Sequence, residues 1–380
     1  MKKKVGIITI LDEINYGNRL QNYAMEKLFE KLGYEAFTVP HISFQDWFYV
    51  RKDKKQYIRQ KLYRIRVLVD VVHLLKRKKK VDHIEDEISK YGERKKNFKI
   101  FNETELHMEK EVINKEPISN KLSKRYDYFV TGSDQVWNPS YGNAKYVMYL
   151  RFAPKRKRIA IAASFGMTNI PNEHTKLVKK YLNGMKYISV REVSGKKIVE
   201  KYTGKTCDVL LDPTLLVPID TWNNLINGNI FSFPEQYMVA YFLGNISEQR
   251  KQFVYEVAKI KGLSVVWLNN DDYSEHYSIG PKEFVKALKN AQMVVTDSFH
   301  GCVFSILFKK QFVVFKREGY AYEMFDRIET LLNMVDLTSQ IKNDYSVEYN
   351  TISCKKYTEI ENVLIKKRLE AESIIRSVMI

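Results

Sequence analysis

The first forty residues place the tightest limit on what this chain can fold into. Residues 5–10 (VGIITI) are a mostly apolar run, long enough for a buried strand and too short for a helix. A loop over 12–18 follows, and then Leu20, Ala24, Leu28 and Leu32 recur at helical spacing until Gly33 stops them. Residues 35–39 supply a second strand. A strand, a helix and a strand in so short a stretch form a βαβ unit, which sets the strands parallel and calls for a doubly wound sheet.

The same rhythm runs on. Strands are expected over 126–130, 158–163, 187–190 and 206–211, with a helix over 172–183, and Asp212-Pro213-Thr214 closes this series. It restarts with strands over 237–241, 263–268, 293–295 and 312–315. The helices between them cover 248–261, 281–290 and 302–308, and a further one starts near 322 and ends at Asn333. An amphipathic helix over 357–377 ends the chain. At 380 residues the chain exceeds what one core usually holds. The expectation is an α/β protein of two Rossmann-like domains facing a cleft, at 1–195 and 215–345. A C-terminal helix follows at 355–380, and the crossing between domains lies between about Glu192 and Pro218.

One segment breaks the rhythm. The chain has 63 Lys and Arg against 45 Asp and Glu, a net charge of +18. Residues 51–99 hold 18 basic and 7 acidic residues, so more than half of the excess sits there. Ile58, Leu62, Ile65, Val69, Val72 and Leu75 keep helical spacing through it, and 76–80 is an unbroken cationic run. A basic helical insertion at about 51–100 can lie on an anionic bilayer, or it can bury its apolar stripe on its own protein. Its aromatics are too sparse for a base-stacking platform, so no nucleic acid partner is expected. Cys207, Cys302 and Cys354 lie far apart, which favours a reducing compartment over disulfides or a zinc site. The basic start MKKK runs into a short strand and then Asp12, unlike a signal peptide, and no apolar stretch is long enough to span a bilayer. A cytoplasmic location is expected, and peripheral contact with an anionic membrane at its inner face stays open. Walker loops, GxGxxG after a strand, GxSxG and HExxH are absent, so neither a metal nor a cofactor is expected.

Polar residues cluster where the strands end, and in open α/β sheets ligands bind at carboxyl ends of strands. Over 291–308, Thr296, Asp297, Ser298, Phe299, His300 and Gly301 lie between an apolar strand and an apolar helix. A helix start offers free N–H groups to an anion, and an imidazole there can carry a proton. Equally, Ser298 can be a plain helix cap and His300 a surface residue. Asn15, Gly17, Asn18 and Gln21 follow the first strand; their amides suit sugar hydroxyls, or else Gly17 makes a turn and Asn18 caps a helix. Ser133, Asp134, Trp137 and Asn138 offer a carboxylate, an amide and an indole for a sugar ring, or an Asp-centred turn beside a core Trp. Arg191, at the end of its strand, can grip a carboxylate or phosphate in bidentate fashion or simply pair with a neighbour.

Taken together, NYGNRLQNYA, GSDQVWNP, AASFGM, SVREVSG, DVLLDPTLLVP and TDSFHGCVFS occur in an order that resembles the polysaccharide pyruvyl transferase family. The resemblance covers residue 4 to about residue 335. It implies a GT-B-like pair of Rossmann-like domains. The implied activity is transfer of a pyruvyl group from phosphoenolpyruvate to two hydroxyls of a sugar, typically lipid-linked, to form a pyruvate ketal in surface-polysaccharide assembly. Phosphoenolpyruvate is then a donor substrate, and no cofactor is needed. By position the resemblance puts the catalytic histidine at His300 and the donor arginine at Arg191. Ser298, Phe299 and Gly301 are expected at the donor, and Asn15, Gly17, Asn18, Gln21, Ser133, Asp134, Trp137 and Asn138 at the acceptor. One well-known form of the family has Arg-Leu-His where this chain has Ser298-Phe299-His300. Lys316, Arg317 and Arg327 are candidates to supply the missing cation. Two other readings stay open at this point: a GT-B-type glycosyltransferase using a nucleotide sugar, and a basic peripheral-membrane scaffold carried by 51–99.

Overall fold

The computed structural model describes residues 2–41, 81–113, 120–139, 147–269, 275–318 and 325–380, with only the backbone of 81–89 and 120. The amphipathic pattern at 58–75, the cationic run at 76–80 and residues 322–324 lie outside them.

Six parallel strands form the first sheet: β1 (Lys4–Ile8), β2 (Glu35–Thr38), β3 (Tyr128–Thr131), β4 (Arg158–Ala163), β5 (Tyr187–Val190) and β6 (Asp208–Val209). Helices α1 (Tyr16–Lys31), α2 (Val81–Glu105), α3 (Asn120–Arg125), α4 (Asn172–Leu182) and α5 (Val193–Thr203) accompany it. Two short helices, α6 (Pro213–Leu216) and α7 (Ile219–Leu225), carry the chain across. The second sheet holds β7 (Tyr237–Tyr241), β8 (Ser264–Leu268), β9 (Met293–Thr296), β10 (Gln311–Phe315) and β11 (Ile341–Lys342), again all parallel. Its helices are α8 (Glu248–Lys261), α9 (Pro281–Asn290), α10 (Phe299–Leu307) and α11 (Asp326–Met334). The last helix is α12 (Cys354–Val378).

The spatial orders are β2-β1-β3-β4-β5-β6 and β11-β10-β9-β7-β8. Counted from its own first strand, the first sheet runs 2-1-3-4-5-6 and the second 2-1-3-4-5, so both reverse direction beside that strand. Such a switch point opens a crevice at the carboxyl ends of the strands. In the first sheet it lies between the loops after β1 and β3, and in the second between the loops after β7 and β9.

Period-two alternation divides the strands between layers. Val5 and Ile7 of β1, Tyr237, Val239 and Tyr241 of β7, and Val294 of β9 face one continuous core shared by both sheets. Ile8 of β1 joins the opposite core of the first sheet, and Met238, Ala240, Met293 and Val295 that of the second. In the shared core, Tyr16 of α1 stacks on Phe284 of α9 with ring centroids 4.4 Å apart, and its hydroxyl donates to the Ile279 carbonyl at 3.1 Å.

The described part of the basic insertion is built into this joint. Phe98 and Phe101 of α2 are buried in the shared core, and Arg94 is fully buried. Its guanidinium donates to the carbonyls of Ile14 and Tyr277 and to Asn269 Oδ1, and it lies 4.4 Å from the Tyr16 ring centroid. Helix α12 does not stand apart as a separate unit. It packs on α6 and returns to the first domain, where Tyr128 Oη donates to the Ile380 carbonyl and Arg376 to that of Leu32. Among the described residues no helix is long and apolar enough to cross a membrane.

Candidate active site

The two switch points meet at a buried charged junction. Helix α1 begins at Tyr16 because Asn15 caps it, its Oδ1 accepting from Asn18 N at 3.0 Å. That brings Asn18 toward the loop after β3, where its Nδ2 donates to Asp134 Oδ2 at 2.9 Å. From the end of β5, Arg191 donates through Nη2 to Asp134 Oδ1 at 3.1 Å and through Nη1 to Asp212 Oδ2 at 2.8 Å. Asp212 also caps α6, its Oδ1 accepting from Thr214 N at 3.0 Å, while Ser133 Oγ donates to Oδ2 at 2.5 Å. Gly132, with a φ of 123°, makes the turn into Ser133 at a position where a Cβ would sit 2.1 Å from the Ile161 carbonyl oxygen.

The second domain brings α10 into this network. Ser298 caps the helix, with its Oγ accepting from Gly301 N at 3.4 Å. His300, in the first turn, is 7% exposed, and its Nε2 lies 3.9 Å from Asp212 Oδ1 with no hydrogen-bond partner. On the other side of the ring is α1: a Cβ on Gly17 would fall 2.0 Å from His300 Nδ1. The Phe299 ring lies near two guanidinium groups, with centroid distances of 4.8 Å to Arg191 and 5.9 Å to Arg327. With the Gln135 amide turned so that its oxygen faces Arg327, that oxygen accepts from Nη1 at 2.5 Å.

Burial and charge set the protonation states. Burial drives His300 down to about 4, with Arg191 and Arg327 adding to the effect and Asp212 and Asp134 opposing it. The ring is therefore neutral at pH 7, below the near-neutral pKa expected of a proton shuttle. Burial alone would raise Asp134 and Asp212. For Asp134 the charges of Arg191, His300 and Arg327 prevail, and for Asp212 those of His300 and Arg191, so both stay below the ordinary range. Arg191 loses by burial but gains more from Asp134, Asp212 and Glu192, so it is held firmly charged. Burial, Arg191 and Arg317 bring Arg327 down to about 10.

Of the residues expected from sequence, His300, Phe299, Arg191, Arg327, Asp134, Asn18, Gly17 and Ser133 meet at this junction. Others support it. Gln21 ties Thr9 Oγ1 to the Ser133 amide, accepting from the latter at 2.8 Å, and the Asn138 side-chain amide lies 2.8 Å from that of Gln135. Gly301 packs where a Cβ would meet Thr296 Oγ1 at 2.5 Å. Lys316 lies 5.6 Å from the Phe325 ring, while its carbonyl accepts from Arg250. Trp137 is not a platform at the surface. It is fully buried, stacked on Tyr149 at 5.2 Å, and its Nε1 donates to the Met148 carbonyl. Apolar burial outweighs any exposed role for so large a ring.

Sequence reasoning missed Asp212, which reads as an ordinary Asp-Pro helix cap and is one; its Oδ2 accepts from Arg191 and Ser133, and its capping Oδ1 is the oxygen nearest His300. Glu192 was also missed. Its Oε1 accepts from the amides of Phe165 and Gly166 and holds the β4 loop beside Arg191, and burial raises its pKa.

The space lined by Arg191, Asp212 and Phe299 is about 10 Å³. A groove of about 540 Å³ beside edge strand β8, lined by Tyr255, Lys259, Trp267 and His276 among others, shares no residue with the junction.

The family described as Polysaccharide pyruvyl transferase matches residues 15–319. No curated protein matches the chain. Solved structures similar to it include a UDP-N-acetylglucosamine 2-epimerase from Rickettsia bellii, at 9% identity and a TM-score of 0.45, covering 100% of this chain and 97% of that one. Another is the UDP-GlcNAc 2-epimerase from Methanocaldococcus jannaschii, at 11% identity and a TM-score of 0.46, covering 96% and 99%.

Proposed function

The chain belongs to the polysaccharide pyruvyl transferase family, and from that premise we propose that it transfers a pyruvyl group from phosphoenolpyruvate to two hydroxyls of a sugar. The observation that carries this reading is a single neutral histidine, His300, whose Nε2 is unpaired and which sits among buried arginines where both switch points meet.

In the overall reaction the donor's methylene carbon gains one proton and becomes a methyl group. Two C–O bonds form from the sugar to the donor's central carbon, and the C–O bond to phosphate breaks. Of the two hydroxyl protons, one ends on the methyl carbon and the other on phosphate. Neutral His300 is suited to take a proton from an attacking hydroxyl, a step of the kind that contributes about 10²–10⁴-fold. The donor's negative charge stabilises the imidazolium that results, and the ring can return the proton to the methylene carbon. Holding a diol against the donor is a matter of position, which two domains closing on each other can supply.

Asn18, Asp134 and Ser133 face the acceptor in this scheme, with Asp134 and Asn18 presenting a carboxylate and an amide to hydroxyls. A lipid-linked acceptor fits the positive excess of residues 51–99, which would be drawn to an anionic bilayer. The direct test is phosphate release from phosphoenolpyruvate in the presence of an acceptor glycan. The wild-type protein should release phosphate and His300→Ala should not, with its melting curve unchanged. Equal release by both proteins would remove His300 from the chemistry.

A further inference from the structure

The described part of the molecule buries six arginines: Arg19, Arg94, Arg158, Arg191, Arg250 and Arg327. Five are compensated. Arg19, Arg94 and Arg158 donate to backbone carbonyls. Arg191 pairs with Asp212 and Asp134, and Arg250 lies 3.3 Å from Glu318 Oε1. Arg327 differs. Among the described residues no carboxylate lies within 4.0 Å of its guanidinium: both terminal nitrogens meet the neutral amide of Gln135, and the carboxylates of Asp134 and Glu192 act on it only from farther away. A charge taken out of water without a counter-ion is costly unless something else supplies the opposite charge.

Position says what that something is. Helix α11 is pinned against the first domain, where Ser194 N donates to Asp326 Oδ2 at 3.2 Å and Val193 N to Thr330 Oγ1 at 3.4 Å. This holds Arg327 beside Phe299, next in sequence to His300, whose Nε2 is unpaired. Arg191, expected from sequence to grip the donor, has both terminal nitrogens paired with the carboxylates of Asp134 and Asp212, where those of Arg327 meet only an uncharged amide. Ser298 adds no cation, since it serves as a helix cap.

We propose that Arg327, rather than Arg191, is the residue that fixes the anionic head of the donor, as a buried guanidinium whose counter-ion is the substrate itself. Arg191 then acts as a positioning residue that holds Asp134 and Asp212 in place. This rests on the pyruvyl-transfer reading and adds to it the residue that selects an anionic donor. A carboxylate and a phosphate are equally able to fill the role, and the two are separable by experiment.

The test is calorimetric titration of phosphoenolpyruvate, pyruvate and inorganic phosphate into the wild-type protein, Arg327→Gln and Arg327→Lys, each first checked by thermal melting. Phosphoenolpyruvate should bind the wild type. Arg327→Gln should weaken it by roughly 30-fold, the loss of one charged hydrogen-bonded contact, and Arg327→Lys by roughly tenfold, since the charge stays but the fork is lost. Whichever of pyruvate and phosphate suffers the same loss marks the end of the donor that Arg327 holds. A folded Arg327→Gln that binds phosphoenolpyruvate as the wild type does overturns the assignment. If Arg327→Gln does not fold, unchanged affinity in Arg327→Lys overturns it instead. A wild-type protein that binds no phosphoenolpyruvate overturns the pyruvyl-transfer reading itself, and the assignment with it.

Discussion

Gly17 and His300 come from opposite domains and touch so closely that a single methyl group on Gly17 would lie 2.0 Å from His300 Nδ1. The φ of Gly17 is not in the left-handed region, so glycine is needed there for space alone. Gly17→Ala should therefore keep each domain intact while driving the imidazole from its place. Overpacking of this kind costs about 1–3 kcal/mol, and turnover should fall far more than stability does. Parallel measurement of phosphate release and urea unfolding checks this; wild-type turnover in Gly17→Ala would mean that the contact is not made in the working enzyme.

The depressed pKa of His300 has a direct consequence for the pH profile. The free-enzyme profile, kcat/KM, reports the group that must be unprotonated. With His300 at about 4, the acidic limb should lie well below the ordinary histidine value of 6.5. Stability has the same sign. Between those two values the unfolded chain binds a proton at this position that the folded chain does not, so stability falls as pH drops through that window. Activity measured from pH 4 to 8 checks the first point. A limb centred near 6.5 would mean that the ring is solvated when substrate arrives.

Asp212 accepts from Ser133, Arg191 and Thr214 at once. Asp212→Asn keeps the shape and removes the charge, leaving Arg191 with Asp134 as its close partner. Breaking a buried pair costs about 3–5 kcal/mol, and the retained amide oxygen should place the loss at the low end of that range. Denaturant midpoints measure it. A loss well under 1 kcal/mol would show that the pair adds nothing net to folding.

Much of this fold was legible because its signals are local. Strand β4 runs from Arg158 to Ala163 and helix α9 from Pro281 to Asn290, both as the apolar spacing and the first-turn proline required. Edges were less so. Residues 9–10 read as strand, yet β1 ends at Ile8, because Thr9 Oγ1 is engaged by Gln21 and the chain turns toward α1. Helix α10 starts at Phe299 rather than Cys302 because Ser298 caps it three residues earlier than its apolar run suggests. The two-residue strand β11 has no pattern of its own, and its register comes from β10. At the site, His300, Arg191 and Asp134 were visible as polar residues at strand ends. Which partner each would take was not, since Arg191 meets Asp212 only when the chain folds back from the crossing between domains.

Trp137 separates a core role from a sugar-binding one. With the indole buried against Tyr149, Trp137→Ala should cost about 3–5 kcal/mol, as large aromatic deletions do. Trp137→Phe keeps the ring packing and loses only the bond to the Met148 carbonyl. It should leave the acceptor KM unchanged; a selective rise in that KM in a stable Trp137→Phe protein would return the ring to the acceptor site.

The central claim is a chemical one, that the chain adds pyruvate as a ketal to a sugar. Mass spectrometry of the surface glycan, from cells carrying the wild-type protein and from cells carrying His300→Ala, tests it most directly. The glycan made with the wild type should carry the mass increment of a pyruvate ketal, and the glycan made with His300→Ala should lack it. Identical glycans from the two, with wild-type protein that turns over a nucleotide sugar and leaves phosphoenolpyruvate untouched, would contradict the account.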